Sequence, residues 1–455
     1  MTAEQLRENL RQLDKEQLID VIIKQADLIE QQQKEHKQLE KRIEELERAS
    51  HRQAAPFRIK ESKKVGERKT PGRKAGHAGS YRTVDEQSIE ETIKVELPKC
   101  PHCEGTLNGV ADIEQVIEEI PPVKKQVRRL ITQTGYCCRC QKTVYSTHPL
   151  QTSTAGGAAK VQTGPNAKAI ALSLQYEYGL TKRKTCRLLE KMFDLKLTPG
   201  GLTHTTHRTA AQLQPRYKAL LEQLRESSVV HSDETSWFVG DPGYWLWVFA
   251  NQSATLYHVD GSRGRSVVTD TIGENFSGTL VSDCLAIYDE ATPLQHKCYS
   301  HHLKAISQAI EKANDSQKAY LDRVRLLLKT AIAVKEVKQD KSPERYGTLC
   351  QKLEQQADEL ILPQRADPLE EKIANRLRKQ RDHLFTFLYL DEVDATNNLA
   401  ERQLRPAVIA RKVSCGNKTE KGAHTWQTLA SLAATASQQN QSFAQWVATA
   451  FQSSA

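Results

Sequence analysis

No uninterrupted apolar run in this chain approaches the roughly 20 residues needed to cross a bilayer, so a membrane-spanning role is not expected. The first residues, Met1-Thr2-Ala3-Glu4-Gln5, lack the basic-then-apolar pattern of a secretory leader. Both absences lead us to expect a cytoplasmic protein. Its ten cysteines would then meet a reducing environment, where clustered thiols hold metals more often than they form disulfides. Gly and Pro are missing before Pro56, so nothing interrupts a helical N-terminus. At 455 residues the chain exceeds what one core usually serves, and several domains of about 100–200 residues are expected.

What is present begins with that N-terminal segment. Asp14, with Gln17 three residues on, resembles a capping box and predicts a helix from about Lys15 to Glu47. Ile22, Ile29, His36 and Ile43 at heptad position a put Gln25, Gln32, Leu39 and Leu46 at d. Such a partly apolar seam fits a weak coiled coil and self-association; an amphipathic helix docked on its own protein is the alternative. The formal net charge is +9, and the ten Lys/Arg against two Glu between Arg52 and Arg82 account for +8 of it. Broken by Pro56, Gly66, Pro71, Gly72, Gly76 and Gly79, this stretch cannot fold alone. It reads as a linker able to follow a phosphate backbone through Lys63, Lys64, Arg68, Lys69, Arg73 and Lys74.

Cys100-Pro101-His102-Cys103 and Cys137-Cys138-Arg139-Cys140 form two CxxC pairs. A two-residue gap lets a tight turn aim both sulfurs at one tetrahedral ion, which predicts a structural zinc held by Cys100, Cys103, Cys137 and Cys140. Cys138 is the spare thiol, and segments such as Val123 to Thr132 are expected to supply ribbon strands. From Asn166 to about Ala211 the pattern is helical, with Ala169, Ile170, Leu172 and Leu174 opening an apolar face. Thr181 is expected to cap a second helix through Phe193, and Thr198-Pro199 to open a third that carries Thr203, His204, Thr205, His207 and Arg208. This reads as a helix-turn-helix. Lys182, Arg183 and Lys184 would meet the DNA backbone, and the polar third helix, Arg208 included, the bases.

After Ser228 the pattern becomes extended: Val229 through Val239, a turn at Gly240-Asp241-Pro242-Gly243, Tyr244 to Phe249, a turn at Asn251-Gln252-Ser253, then Ala254 to Val259. A short helix from Gly264 to Ile272 and a fourth strand from Gly278 to Ser282 follow. That is the strand order of a ribonuclease-H-like core, in which Asp233 on the first strand and Asp283 at the end of the fourth lie side by side. Adjacent carboxylates repel unless protonated or bridged by cations. Paired divalent ions, magnesium or manganese, can activate a water or 3′-hydroxyl against a phosphodiester and stabilise the leaving oxygen.

The third ligand expected is Glu401. A competing reading makes Asn398 an N-cap and Glu401 its capping-box partner, while Arg402, Arg405, Arg411 and Lys412 suit a helix that faces phosphate. Asp241, in a Pro-Gly turn, and Asp289, in an acidic pair, are expected to be solvated.

His-Ser-Asp-Glu-Thr at 231–235, Val-Ser-Asp at 281–283, Cys-Tyr-Ser-His at 298–301 and Asn-Asn-Leu-Ala-Glu-Arg-Gln-Leu-Arg-Pro at 397–406 resemble transposases of the insertion sequence 66 family. The resemblance extends to the N-terminal zipper-like helix, the basic segment at Pro71–Gly79, the cysteine knuckles and Gly422-Ala423-His424-Thr425-Trp426. It implies a DDE-type triad of Asp233, Asp283 and Glu401 and an all-helical insertion, matched by the strand-poor residues 303–390. The family usually has Ala where Ser232 stands, Trp for Tyr299, and basic residues where Leu303 and Lys304 stand. His301 is a candidate contact to the scissile phosphate; a second zinc on Cys298 and His301 lacks a further ligand pair.

The expected organisation is therefore multidomain α+β: a helical segment (1–50), basic linker (51–90), zinc ribbon (91–150), helix-turn-helix domain (160–225), catalytic core (226–302 and 391–425), helical insertion (303–390) and helical tail (426–455). The expected activity is metal-dependent cleavage and strand transfer at the terminal inverted repeats of a mobile element. Expected partners are those repeats and target DNA, a second copy of the chain in a dimer or higher oligomer, and any accessory proteins, at the nucleoid. A regulatory DNA-binding protein without cleavage and a nuclease without strand transfer are the rival readings.

Overall fold

The computed structural model describes residues 83–148, 150–151 and 161–452, together with positions 33, 34 and 37, which are helical. The rest of the predicted N-terminal helix, and Lys63, Lys64, Arg68, Lys69, Arg73 and Lys74, lie outside the described residues. The chain divides into two compact units, Arg52–Lys124 and the remainder. In the first, the described residues hold a single 3-10 turn, Glu86–Ser88, and neither α-helix nor strand.

In the second unit, β1 (Thr134–Cys137) pairs antiparallel with β2 (Lys142–Tyr145). The ribbon strands expected at Val123 to Thr132 are not formed; that stretch is irregular and exposed. Its apolar residues Val123, Val127, Leu130 and Ile131 recur at intervals of four, three and one, so they give no strand face of period two.

Three helices follow: α1 (Pro165–Tyr176), α2 (Lys182–Phe193) and α3 (Pro199–Arg225). The Thr181 hydroxyl accepts from the Lys184 amide at 3.4 Å and that of Thr198 from Gly201 at 3.1 Å, so both start signals act as caps. Leu172 of α1 is fully buried whereas Ile170 is exposed. Beyond Ala211, α3 continues through Pro215, a residue that ordinarily ends a helix. Tyr217, Leu220 and Leu224 explain the continuation, because they pack into the core beneath the sheet.

The sheet comprises β3 (Val229–Val239), β4 (Asp241–Ala250), β5 (Thr255–Asp260), β6 (Thr279–Ser282) and β7 (Leu294–Lys297), with α4 (Arg265–Ile272) between β5 and β6. Spatial order is β5-β4-β3-β6-β7. β3 and β4 are antiparallel, as are β4 and β5, whereas β3, β6 and β7 run parallel. Gly240, at φ +72°, makes the β3–β4 reversal tighter than the sequence suggested.

An all-helical stretch then comprises α5 (Tyr299–Ile310), α6 (Asp315–Glu336), α7 (Pro343–Ile361), α8 (Pro368–Arg378), α9 (Arg381–Leu384) and α10 (Thr386–Tyr389). It has its own core, which reaches Val229 and Val281 at the sheet. The chain returns as α11 (Asn398–Ser414), α12 (Glu420–Gln438) and α13 (Phe443–Gln452). α12 therefore crosses the boundary expected between core and tail at residues 425 and 426. Pleating sends alternate β3 residues to opposite faces. Val230 packs with α3 and α4, whereas Trp237 packs with α11 and α12. Asp233 shares the parity of Trp237 and so faces α11.

Candidate active site

β3 and β6 are registered through Val229↔Thr279 and His231↔Val281. Two residues further along each strand stand Asp233 and Asp283, so their carboxylates emerge at the same level where pairing ends. Oδ1 of Asp233 accepts from the Glu234 amide at 2.9 Å, and Oδ1 of Asp283 from the Leu285 amide at 2.9 Å. The Asp233 carboxyl is pushed up to about 7, first by burial, then by the charge of Glu234, with Asp283 and Glu401 adding to it. Glu234 itself is compensated: Arg263 donates to its Oε1 at 2.8 and 3.1 Å, and the Tyr288 hydroxyl to Oε2 at 2.5 Å. Asp283 and Glu401, from two other segments, are thus near enough for their charges to reach Asp233, but among the described residues the three carboxylates do not gather within 4.8 Å of one another.

Glu401 lies in the first turn of α11. The capping-box reading is overturned: the N-cap is Asn397, not Asn398, and its side chain makes no cap bond. The Glu401 amide donates to the Asn397 carbonyl at 3.1 Å, an ordinary helical bond. Ligand atoms of Glu401, Cys298 and His301 all lie within 4.8 Å of one another. The Cys298–His301 pair thus has a third neighbour that spacing could not reveal, about a hundred residues away in sequence. His301 Nδ1 is buried without a hydrogen-bond partner.

Asp241 is exposed, as expected. Asp289 is not simply solvated: it pairs with the fully buried ammonium of Lys297 at 3.1 Å and accepts from Gln380 at 3.0 Å. Burial lowers the Lys297 pKa, and Asp289 opposes that shift.

Arg402, Arg405 and Lys412 are exposed along α11. Arg411 instead braces the helix to β3, donating to Thr235 Oγ1 at 3.0 Å and Ser236 Oγ at 2.8 Å. On α2, Arg183 and Lys184 are exposed and Lys182 is half-buried. On α3, His204 and Arg208 are exposed, Thr205 is buried, and His207 Nδ1 lies 2.6 Å from Thr425 Oγ1 of α12. The solvent-facing part of the third helix is therefore narrower than its polar sequence implied.

The two cysteine pairs, each in its own unit, adopt like turns. After Cys103, Glu104 takes φ +56°, and after Cys140, Gln141 takes φ +52°. Backbone N–H groups of His102 and Cys103 lower the Cys100 thiol pKa; those of Cys140 and Arg139 contribute likewise at Cys137. Amides directed at sulfur favour thiolates, the form that binds metal.

Over 262 residues the chain is 26% identical to the "Uncharacterized protein y4qI" of Sinorhizobium fredii (strain NBRC 101917 / NGR234), covering 49% of this chain and 47% of that one. The chain thus spans about half the length of this relative. The profile described as "Transposase IS66 family" matches residues 160–425, from the start of the three-helix region through Glu401 to the start of α12. With more than half of the chain matched, this protein belongs to the IS66 transposase family.

Proposed function

We propose that this protein is a DNA transposase that cleaves and joins strands at the ends of its element, with divalent ions held by Asp233, Asp283 and Glu401. The observation that carries the reading is the placement of Asp233 and Asp283 at one level of adjacent parallel strands, with the charges of Asp283 and Glu401 both reaching the Asp233 carboxyl. Hard oxygen donors so arranged suit magnesium or manganese. Such ions would lower the pKa of an attacking water or 3′-hydroxyl and stabilise the leaving oxygen. The chain's own part is to keep the carboxylates converged, with Asp233 and Asp283 on adjacent strands and Glu401 on a helix crossing them.

The sheet order β5-β4-β3-β6-β7, its crossover helix and the helical stretch before α11 support a ribonuclease-H-like core with an insertion. His301, beside Glu401, is proposed to contact the scissile phosphate. Arg402, Arg405 and Lys412 would track the DNA backbone near the cut, with Arg183, Lys184 and Arg208 on a helix-turn-helix and the basic linker engaging the ends. Purified protein with magnesium and DNA bearing the element's terminal repeats should yield cleaved ends and then joined products. Cleavage without joining would instead establish a nuclease, and binding alone a regulator.

The like turns support the use of each CxxC pair, Cys100 with Cys103 and Cys137 with Cys140, as thiolate ligands to structural zinc. Purified protein should carry zinc. Cys100→Ser and Cys137→Ser should each lose it and Cys138→Ser should keep it, measured by atomic absorption; zinc lost only from Cys138→Ser would reassign the second pair.

A further inference from the structure

Asn397 is fully buried where three segments of the chain meet. Its Nδ2 donates to the Ser232 carbonyl at 2.7 Å, on β3 immediately before Asp233. Its Oδ1 lies 3.1 Å from His231 Nδ1, on the same strand. A carbonyl only accepts, so the amide group of Asn397 must face Ser232. The oxygen is left to His231, whose Nδ1 then carries the hydrogen. The Asn397 backbone amide donates to Cys298 Sγ at 3.1 Å, at the start of α5. Its carbonyl receives the Glu401 amide at 3.1 Å. One residue therefore touches the strand of Asp233, the residue that begins the Cys298–His301 segment, and the turn that carries Glu401.

An Asn at this position ordinarily turns its side-chain oxygen to the helix's own amides. Here that local bond is absent, and both amide atoms are committed across the sheet. The segment just upstream is pinned as well: the Ala395 carbonyl accepts from the Tyr299 amide at 2.9 Å.

We infer that Asn397 is a positioning residue that fixes the first turn of α11 against β3, and so sets the distance between Glu401 and Asp233 at which one metal centre can form. The inference rests on the proposed reading of those carboxylates as metal ligands. Residues that orient ligands in this indirect way typically alter metal affinity by about 10–100-fold when removed.

Asn397→Ser separates positioning from helix capping. Serine is a good N-cap but too short to hold both Ser232 and His231. The expected result is a folded protein whose affinity for Mn2+, followed by the electron paramagnetic resonance of free Mn2+, is about tenfold weaker or more. Its cleavage should recover towards the wild-type rate at saturating Mn2+. Leu172→Ala, in the core formed by α1, α3, α12 and α13, should lower the melting temperature without changing Mn2+ affinity. Unchanged Mn2+ affinity in Asn397→Ser overturns the inference, whatever its melting temperature. Should that variant fail to fold, His231→Ala removes one tie from the strand side; a weaker Mn2+ affinity there supports the inference and an unchanged one overturns it. Wild-type protein that neither binds Mn2+ nor cleaves would refute the metal-centre reading itself, and this is read before either variant.

Discussion

Asp233→Asn should lower magnesium-dependent cleavage of element-end DNA by about 10³-fold while leaving binding of that DNA unchanged. Loss of a ligand that holds the ions removes several kcal/mol of charge stabilisation, and about 4 kcal/mol corresponds to that factor. The same substitution should stabilise the metal-free protein at alkaline pH. Asp233 has its folded-state pKa raised from 3.8 to about 7. A raised carboxyl contributes stability that is fully present below the unfolded value near 4 and is lost as pH rises through about 7. Above pH 7 the ionised carboxylate therefore opposes folding, by up to about 4 kcal/mol at roughly 1.36 kcal/mol per unit. Asn keeps the shape without the charge. In thermal melts without added magnesium or manganese, Asp233→Asn should melt several degrees above wild type at pH 8 and close to it at pH 4. A lower melting temperature at pH 8 would mean that the carboxylate is satisfied by the protein alone.

Much of this arrangement was legible because the signals are local. Thr181 and Thr198-Pro199 announce helices, and alternation between Val229 and Val259 announces the meander that leads to Asp233. β7 was missed because Leu294-Gln295-His296-Lys297 reads as a polar surface segment, yet its last three residues are fully buried. Their partners lie outside the strand: His296 is 3.2 Å from the carbonyls of His383 and Ala395, 87 and 99 residues away, and Lys297 pairs with Asp289 in the preceding loop. Period and composition cannot register such compensation. The continuation of α3 past Pro215 has the same cause, a core that outweighs local preference. At the site, strand order was enough to pair Asp233 with Asp283. Glu401 needed the family resemblance, because its local sequence resembles a helix start whose capping bond is absent from the structure. The tie from Asn397 to β3 spans 165 residues and had no local signal, since the cap was expected at the neighbouring Asn398.

Glu401→Gln should abolish cleavage to a similar degree, at least about 10³-fold, with almost no change in melting temperature. Glutamine matches glutamate in helix propensity, and the N-cap residue of α11, Asn397, makes no side-chain cap bond for the substitution to disturb. What changes is the donor: a neutral amide oxygen binds a hard divalent ion far more weakly than a carboxylate does. Glu401 is also the proposed ligand from the far side of the helical stretch, so it tests whether three separate segments make one centre. The decisive measurement is Mn2+ titration of wild-type and Glu401→Gln protein, with cleavage of the same end-bearing DNA followed in parallel. The account predicts that the variant stays folded, loses Mn2+ affinity by about tenfold or more and does not cut. A variant that binds Mn2+ and cuts as wild type does would contradict it.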